Sequence, residues 1–271
     1  MRNNDIFLIR HLAFFWGEIK LAFKHRNYFG YKNIFLKVFS RINIRLFSNY
    51  LQSFMYYLTF NKKSINSNEQ TPSLITHGYE LLKDIDTSCI DFLDYKIDDL
   101  YKDNNIVVTR NKIDYLKAEN FARENGFHSI ASKYFKAKNC NLFIDSWNTR
   151  PFSDRKRLGT TQWHRDRDGF KVLKFFIYLN DVDEDTGPHA FAPFSHKIRP
   201  IRFVPQIRYS DDNVEKFFSK IILFTGKKGK CFVEDTTGLH KATPPKKKHR
   251  MLLQFSYFTG SIYWDKTTLK V

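Results

Sequence analysis

A chain of 271 residues, 42% of them hydrophobic, has the length and apolar content for one sizeable domain with an appendage, which argues against a disordered or fibrous chain. Its formal net charge of +17 favours anionic partners (nucleic acid, an acidic membrane surface, a phosphorylated or carboxylated small molecule), and would equally follow from a Lys- and Asn-rich genome. The three cysteines, Cys89, Cys140 and Cys231, are odd in number, widely spaced and free of any CxxC, which speaks against a disulfide framework or zinc ribbon and for buried small residues in a reducing, cytoplasmic setting.

Residues 1–60 form a basic, aromatic-rich block. Leu8, Leu12, Phe15, Ile19 and Ala22 recur at helical spacing, and a second pattern runs through Ile34, Val38 and Ile42 with Lys37, Arg41 and Arg45 interleaved. These amphipathic helices either pack on the main domain or lie at a membrane interface with Lys and Arg on anionic lipid. Arg10, His11, Glu18 and Lys20 interrupt the apolar stretches, so no transmembrane span is expected, and Asp5 in the leading segment speaks against a signal peptide. The polar stretch 61–72 reads as a linker, which divides the chain into a basic helical extension with linker, residues 1–70, and a main domain, residues 71–271.

The main domain opens with a mixed region. A short strand is expected at Ser73–Thr76, helices at Tyr79–Asp86 and Ser88–Tyr101, a strand at Ile106–Thr109 and a helix at Ile113–Asn125. From residue 138 the pattern turns to strands: 141–147, 161–166, 172–180, 189–193, 230–234 and 250–258, separated by turn formers such as DEDTGP and TGKKGK. Many short alternating strands indicate an all-β sandwich or jelly roll. In the first of them Asn141, Phe143 and Asp145 share one face and Leu142, Ile144 and Ser146 the other, and the apolar second set reads as core.

His164 and Asp166, two apart on a strand, point to the same side and offer a neutral imidazole and a carboxylate to one metal ion. HxD alone is common. A second histidine from a distant strand would complete one face of an octahedron, the arrangement typical of non-haem iron(II) oxygenases, and His240 follows the fifth of these strands. Arg250 opens the last strand, where a guanidinium can grip a carboxylate in a bidentate fork. A metal triad with a carboxylate clamp is what a keto-acid co-substrate needs.

The segments HRD (164–166), YLNDVDEDTGPHAFAPFSHK (178–197) and GLHKATPPKKKHRMLLQFSYF (238–258) together resemble the phytanoyl-CoA dioxygenase family, over roughly residues 74–260. The resemblance implies an α+β, mainly β fold, a double-stranded β-helix (jelly roll) flanked by helices, here with the basic N-terminal extension. It implies Fe(II) on His164, Asp166 and His240, with 2-oxoglutarate chelating the iron and its far carboxylate on Arg250. It further implies O2 as oxidant, ascorbate as a supporting reductant, and hydroxylation of an unactivated C–H bond. Asp166 in the carboxylate position favours hydroxylation, since related halogenases carry a small residue there. Two departures stand out: Ala242 replaces the Ser of some members, which leaves Thr243 as the candidate hydroxyl for the co-substrate, and Phe194 stands where the family's PGSHK motif has Gly.

The neighbours have blander readings. His196 belongs to the PGSHK-like motif and reads as structural. Trp163 and His249 point away from the metal by strand parity, and Lys246–Lys248 form a solvated loop or a clamp for an anionic substrate. The expected partner is a small anionic, or lipid- or saccharide-linked, substrate, with peripheral membrane contact through residues 1–60; no nucleic-acid motif supports a nucleic-acid partner. The competing reading is a catalytically degenerate β-helix that binds a membrane surface or polyanion.

Overall fold

The computed structural model describes residues 72–93, 106–109, 113–136, 140–151, 159–166, 171–197, 208–259 and 269–270. The two amphipathic patterns of residues 1–60 and nearly all of the linker lie outside the described residues.

In chain order the helices are α1 (Pro72–His77), α2 (Tyr115–Glu124), α3 (Phe127–Phe135) and α4 (Asp211–Glu215). The strands are β1 (Tyr79–Leu81), β2 (Ile106–Thr109), β3 (Asn141–Thr149), β4 (Lys171–Tyr178), β5 (His189–Phe191), β6 (Ile222–Phe224), β7 (Cys231–Asp235), β8 (His240–Ala242), β9 (Arg250–Thr259) and β10 (Leu269–Lys270). Among the described residues they form a seven-stranded sheet, β1-β7-β4-β9-β3-β10 with β2 also on β3, and a three-stranded sheet, β6-β5-β8. Every pairing is antiparallel. The result is a mainly β, jelly-roll-like molecule with few helices.

The large sheet is covered on both faces, which is why β4 reads as an almost unbroken apolar run. Leu173, Phe175 and Ile177 face a core shared with α2 and α3. The helices present Ala118, Phe121 and Ala122, then Phe127, Ala131 and Phe135, at helical spacing. Phe127 stacks on Phe175 with ring centroids 4.4 Å apart. The other face of β4 carries Phe176 and Tyr178 into a second cluster with Phe191 and Phe224 of the small sheet. The two sheets therefore enclose a space lined by alternate residues of β3, β4 and β9.

The expected strands at Ile106–Thr109, 141–147, 172–180, 189–193, 230–234 and 250–258, and the helix at Ile113–Asn125, are present within a few residues. Four expectations are corrected. Ser73–Thr76 lies within α1, because Pro72 pre-sets the first helical turn. Tyr79–Asp86 is not a helix: its first three residues pair with β7, Tyr79 opposite Glu234, so tertiary pairing overrides local pattern. Of Ser88–Tyr101, the described part forms one 3-10 turn at Thr87–Cys89, capped by the Asp86 carboxylate, and then runs irregularly to Leu93. Thr161–Asp166 is not a regular strand: a 3-10 turn at Gly159–Thr161 is followed by single bridges, Trp163 to Tyr209 and His164 to His240. Strands β1, β6, β8 and β10 and helices α3 and α4 were not anticipated. No helix among the described residues is long and apolar enough to cross a membrane.

Candidate metal centre

His164 and His240 are bridged main chain to main chain, each amide donating to the other's carbonyl at 3.0 Å. The Asp166 amide donates to the Thr236 carbonyl at 2.9 Å, which fixes the HxD segment against the turn after β7. This pairing brings residues 74 positions apart in the chain into one cluster: the ligating atoms of His164, Asp166 and His240 all lie within 4.8 Å of one another. Asp166 Oδ1 is 3.7 Å from His164 Nε2, and Oδ2 is 3.5 Å from His240 Nε2.

The tautomers are set by neighbours. His164 Nδ1 donates to the Gln162 carbonyl at 2.8 Å and His240 Nδ1 to the Gly238 carbonyl at 3.1 Å. Both Nε2 lone pairs are thereby left for the centre, the outer-sphere arrangement that orients metal-bound imidazoles. Burial holds both rings uncharged, His164 well below its ordinary value and His240 down to about 4. Burial opposes ionisation of Asp166, but the Lys174 ammonium beside it outweighs burial and holds the carboxyl well below the usual range. The three side chains thus present the charge states a divalent ion requires.

Lys174, on β4, makes an ion pair with Asp166 at 2.7 Å. Directly opposite it on β7 stands Glu234, fully buried, whose Oε1 lies 2.7 Å from His189 Nε2. Burial raises the Glu234 carboxyl well above the ordinary value and lowers His189 to about 3, so both partners are driven to their uncharged forms. His189 in turn stacks on His240, with ring centroids 5.6 Å apart.

Arg250, which also lines the cavity, stands opposite Thr149 on β3 and is 4% exposed. Its guanidinium donates to the Gly187 and Thr243 carbonyls, and no carboxylate pairs with it among the described residues. Gly187 has φ +77°, and a Cβ there would lie 2.4 Å from the Thr243 oxygen, so only glycine closes this turn against the Arg250 loop. Thr243 meets Arg250 through its carbonyl; its hydroxyl is buried without a hydrogen-bond partner, and Ala242 is the residue that lines the cavity. The amides of Lys246, Lys247 and Lys248 all donate to the Asp185 carbonyl, while the Lys247 and Lys248 ammoniums pair with Asp185 and Asp183. The lysine run is therefore fastened to the acidic turn that carries Gly187.

Trp163 is fully buried among Ala190, Tyr209 and Leu239 with the Lys241 ammonium over its ring, and His249 is exposed, both away from the centre. His196 Nε2 lies 3.2 Å from the Ile75 carbonyl, a packing role. On β3 the face of Asn141, Phe143 and Asp145 continues into Trp147 and Thr149, which line the cavity, while Leu142 and Ile144 are core. Phe194 adopts φ +65°, a conformation costly for a bulky residue, and packs edge-on against His77 at 5.0 Å. The sequence reading missed Trp147, Thr149, Lys174, Phe176, Leu252 and Gln254, all of which line the cavity. Strand parity on β4 and β9 would have identified the last four: Lys174 and Phe176 alternate inward, as do Arg250, Leu252 and Gln254. The cysteines are free, Cys140 and Cys231 buried and Cys89 exposed.

No protein-family model matches the sequence, and no curated protein matches it. Solved structures do. The non-heme α-ketoglutarate-dependent carbocyclase SnoK from nogalamycin biosynthesis aligns at TM-score 0.54 and 15% identity, over 77% of this chain and 98% of its own. AviO1 from Streptomyces viridochromogenes Tue57 aligns at 0.49 and 15%, over 68% and 91%, and EctD from S. alaskensis, solved with 2-oxoglutarate and 5-hydroxyectoine, at 0.47 and 17%, over 73% and 79%. The likeness to SnoK shows that this chain shares the jelly-roll-like fold of a non-heme, α-ketoglutarate-dependent enzyme.

Proposed function

We propose that this chain is an iron(II)- and 2-oxoglutarate-dependent dioxygenase of the phytanoyl-CoA dioxygenase type, acting on a small molecule. The observation that carries the reading is the convergence of His164, Asp166 and His240 in the lining of a cavity that also holds Arg250, a buried cation without a carboxylate partner among the described residues. Two neutral imidazoles and one carboxylate are a donor set that suits ferrous iron and leaves coordination positions open. The buried indole Nε1 of the cavity-lining Trp147, without a hydrogen-bond partner, also fits a cavity shaped for a ligand.

In this reading His164, Asp166 and His240 hold Fe(II), and Arg250, held in place by the Thr243 carbonyl, grips the far carboxylate of 2-oxoglutarate. Iron with 2-oxoglutarate and O2 supplies oxidative decarboxylation to succinate and carbon dioxide, coupled to oxidation of a substrate C–H bond. The chain's own part is to orient and to exclude water. The main-chain acceptors at Gln162 and Gly238 lock both imidazole tautomers, and Trp147, Phe176 and Leu252 keep the cavity wall apolar. Asp166 as third ligand favours hydroxylation, although SnoK shows that a related fold also serves a carbocyclase. The net charge of +17 supports an anionic, or lipid- or saccharide-linked, substrate.

With Fe(II), ascorbate and 2-oxoglutarate, the purified chain should release succinate when its substrate is supplied from a panel of such small molecules. His164→Ala and Asp166→Ala should each abolish release; turnover retained in either variant contradicts the proposal.

A further inference from the structure

We propose that Trp147 is a second arm of the carboxylate clamp, its indole N–H donating to the far carboxylate of 2-oxoglutarate beside Arg250. The inference rests on the dioxygenase reading and deepens it with a further co-substrate contact in the same cavity. Trp147 on β3 lies opposite Leu252 on β9, and Thr149, two residues on, lies opposite Arg250. These side chains all line the cavity. Trp147 and Arg250 are therefore diagonal neighbours on one face of the antiparallel pair, a separation of about 7–8 Å that long and aromatic side chains bridge. A carboxylate seated on the guanidinium comes within range of the indole.

The indole nitrogen can only donate. In Trp147 it is buried and has no acceptor, a state that costs free energy until an acceptor arrives. An ionised carboxylate is the complementary group: it only accepts, through two oxygens with about four lone-pair sites. Arg250 Nη1 already donates to the Gly187 and Thr243 carbonyls, so the guanidinium meets the carboxylate with the remainder of its fork. From β8 the residue that lines the cavity beside His240 is Ala242, which brings no hydroxyl to share the load. The Trp147 N–H supplies the missing donor. A hydrogen bond to a charged acceptor in a buried site is worth roughly tenfold to a hundredfold in affinity.

Full-length protein loaded with Mn(II) is titrated by anaerobic calorimetry with 2-oxoglutarate and with 2-oxopentanoate. The second compound keeps the chelating keto acid and the chain length but ends in a methyl group. Trp147→Phe, which keeps a ring and removes the N–H, should weaken 2-oxoglutarate by about tenfold or more and leave 2-oxopentanoate within threefold of wild type. In Zn(II)-loaded wild type carrying nitrogen-15 tryptophan, one indole N–H resonance should move downfield with 2-oxoglutarate and stay in place with 2-oxopentanoate. That resonance should be missing from the Phe variant. If the variant fails to fold, as read from its melting curve, the wild-type spectrum decides alone. Parallel loss of both keto acids, 2-oxoglutarate affinity within threefold of wild type, or no indole resonance specific to 2-oxoglutarate overturns the role of Trp147 while Arg250 and the metal site stand. A wild type that binds neither keto acid with Mn(II) present defeats the dioxygenase reading and this one with it.

Discussion

Replacing Arg250 with methionine should cost co-substrate affinity far more than fold stability. Two buried carbonyls, Gly187 and Thr243, would lose their donor, at about 1–3 kcal/mol each. Against that, methionine removes a buried cation with no carboxylate partner among the described residues, and relief of its desolvation is worth several kcal/mol. These effects offset, so the melting temperature should move by only a few degrees. Co-substrate binding has no such compensation. Removing one partner of a buried, hydrogen-bonded charge pair costs about 2–5 kcal/mol, which is roughly thirtyfold to several thousandfold in affinity for 2-oxoglutarate. Arg250→Lys keeps the charge but loses the planar fork, and should sit about tenfold below the wild type. The assay is anaerobic calorimetry of 2-oxoglutarate into Mn(II)-loaded protein, with a thermal melt of each variant. A Met variant that folds normally and binds within threefold of wild type would refute the carboxylate clamp.

Four further outcomes are expected. Gly187→Ala forces a side chain into a left-handed turn against the Thr243 carbonyl; it should cost about 1–3 kcal/mol in urea unfolding and weaken 2-oxoglutarate binding, because the same residue holds Arg250. Phe175→Ala, which empties the stack under α3, should cost about 3–5 kcal/mol by the same measurement and leave Co(II) binding intact in the folded fraction. Lys247→Ala and Lys248→Ala, at exposed pairs with the acidic turn, should change stability by under about 1 kcal/mol each, read from urea midpoints. For pH, His164, His189 and His240 have folded values below the unfolded one, which is about 6.5. The unfolded chain therefore binds more protons, and metal-free stability falls as pH drops from about 6.5 towards 4, by up to about 1.4 kcal/mol per unit per histidine. Glu234, raised in the folded state, opposes this with one proton; urea unfolding between pH 7 and 4 should still show a net fall, and a flat profile would contradict the buried neutral imidazoles.

The chemistry was more legible in the sequence than the frame around it. His164 and Asp166 are two residues apart, and His240 and Arg250 lie ten apart across one β8–β9 connection, so local spacing carried much of the site. The convergence itself was not legible, because it depends on a main-chain bridge between positions 164 and 240 outside any regular strand. Strands of three residues, such as β6 and β8, are too short for alternation to register, and β1 is strand only because β7 lies beside it. Lys174 escaped notice because one lysine within an apolar run reads as an outward residue, whereas here it turns inward to Asp166. Glu234 was hidden for the same reason: its partner His189 is 45 residues away, a pairing no periodicity reports.

Crystals of the protein soaked anaerobically with Fe(II) and measured on both sides of the iron absorption edge would test the metal centre most directly. The account predicts one anomalous peak per chain, about 2 Å from His164 Nε2, His240 Nε2 and an Asp166 oxygen. A peak elsewhere in the molecule, or none at full iron load, would contradict it.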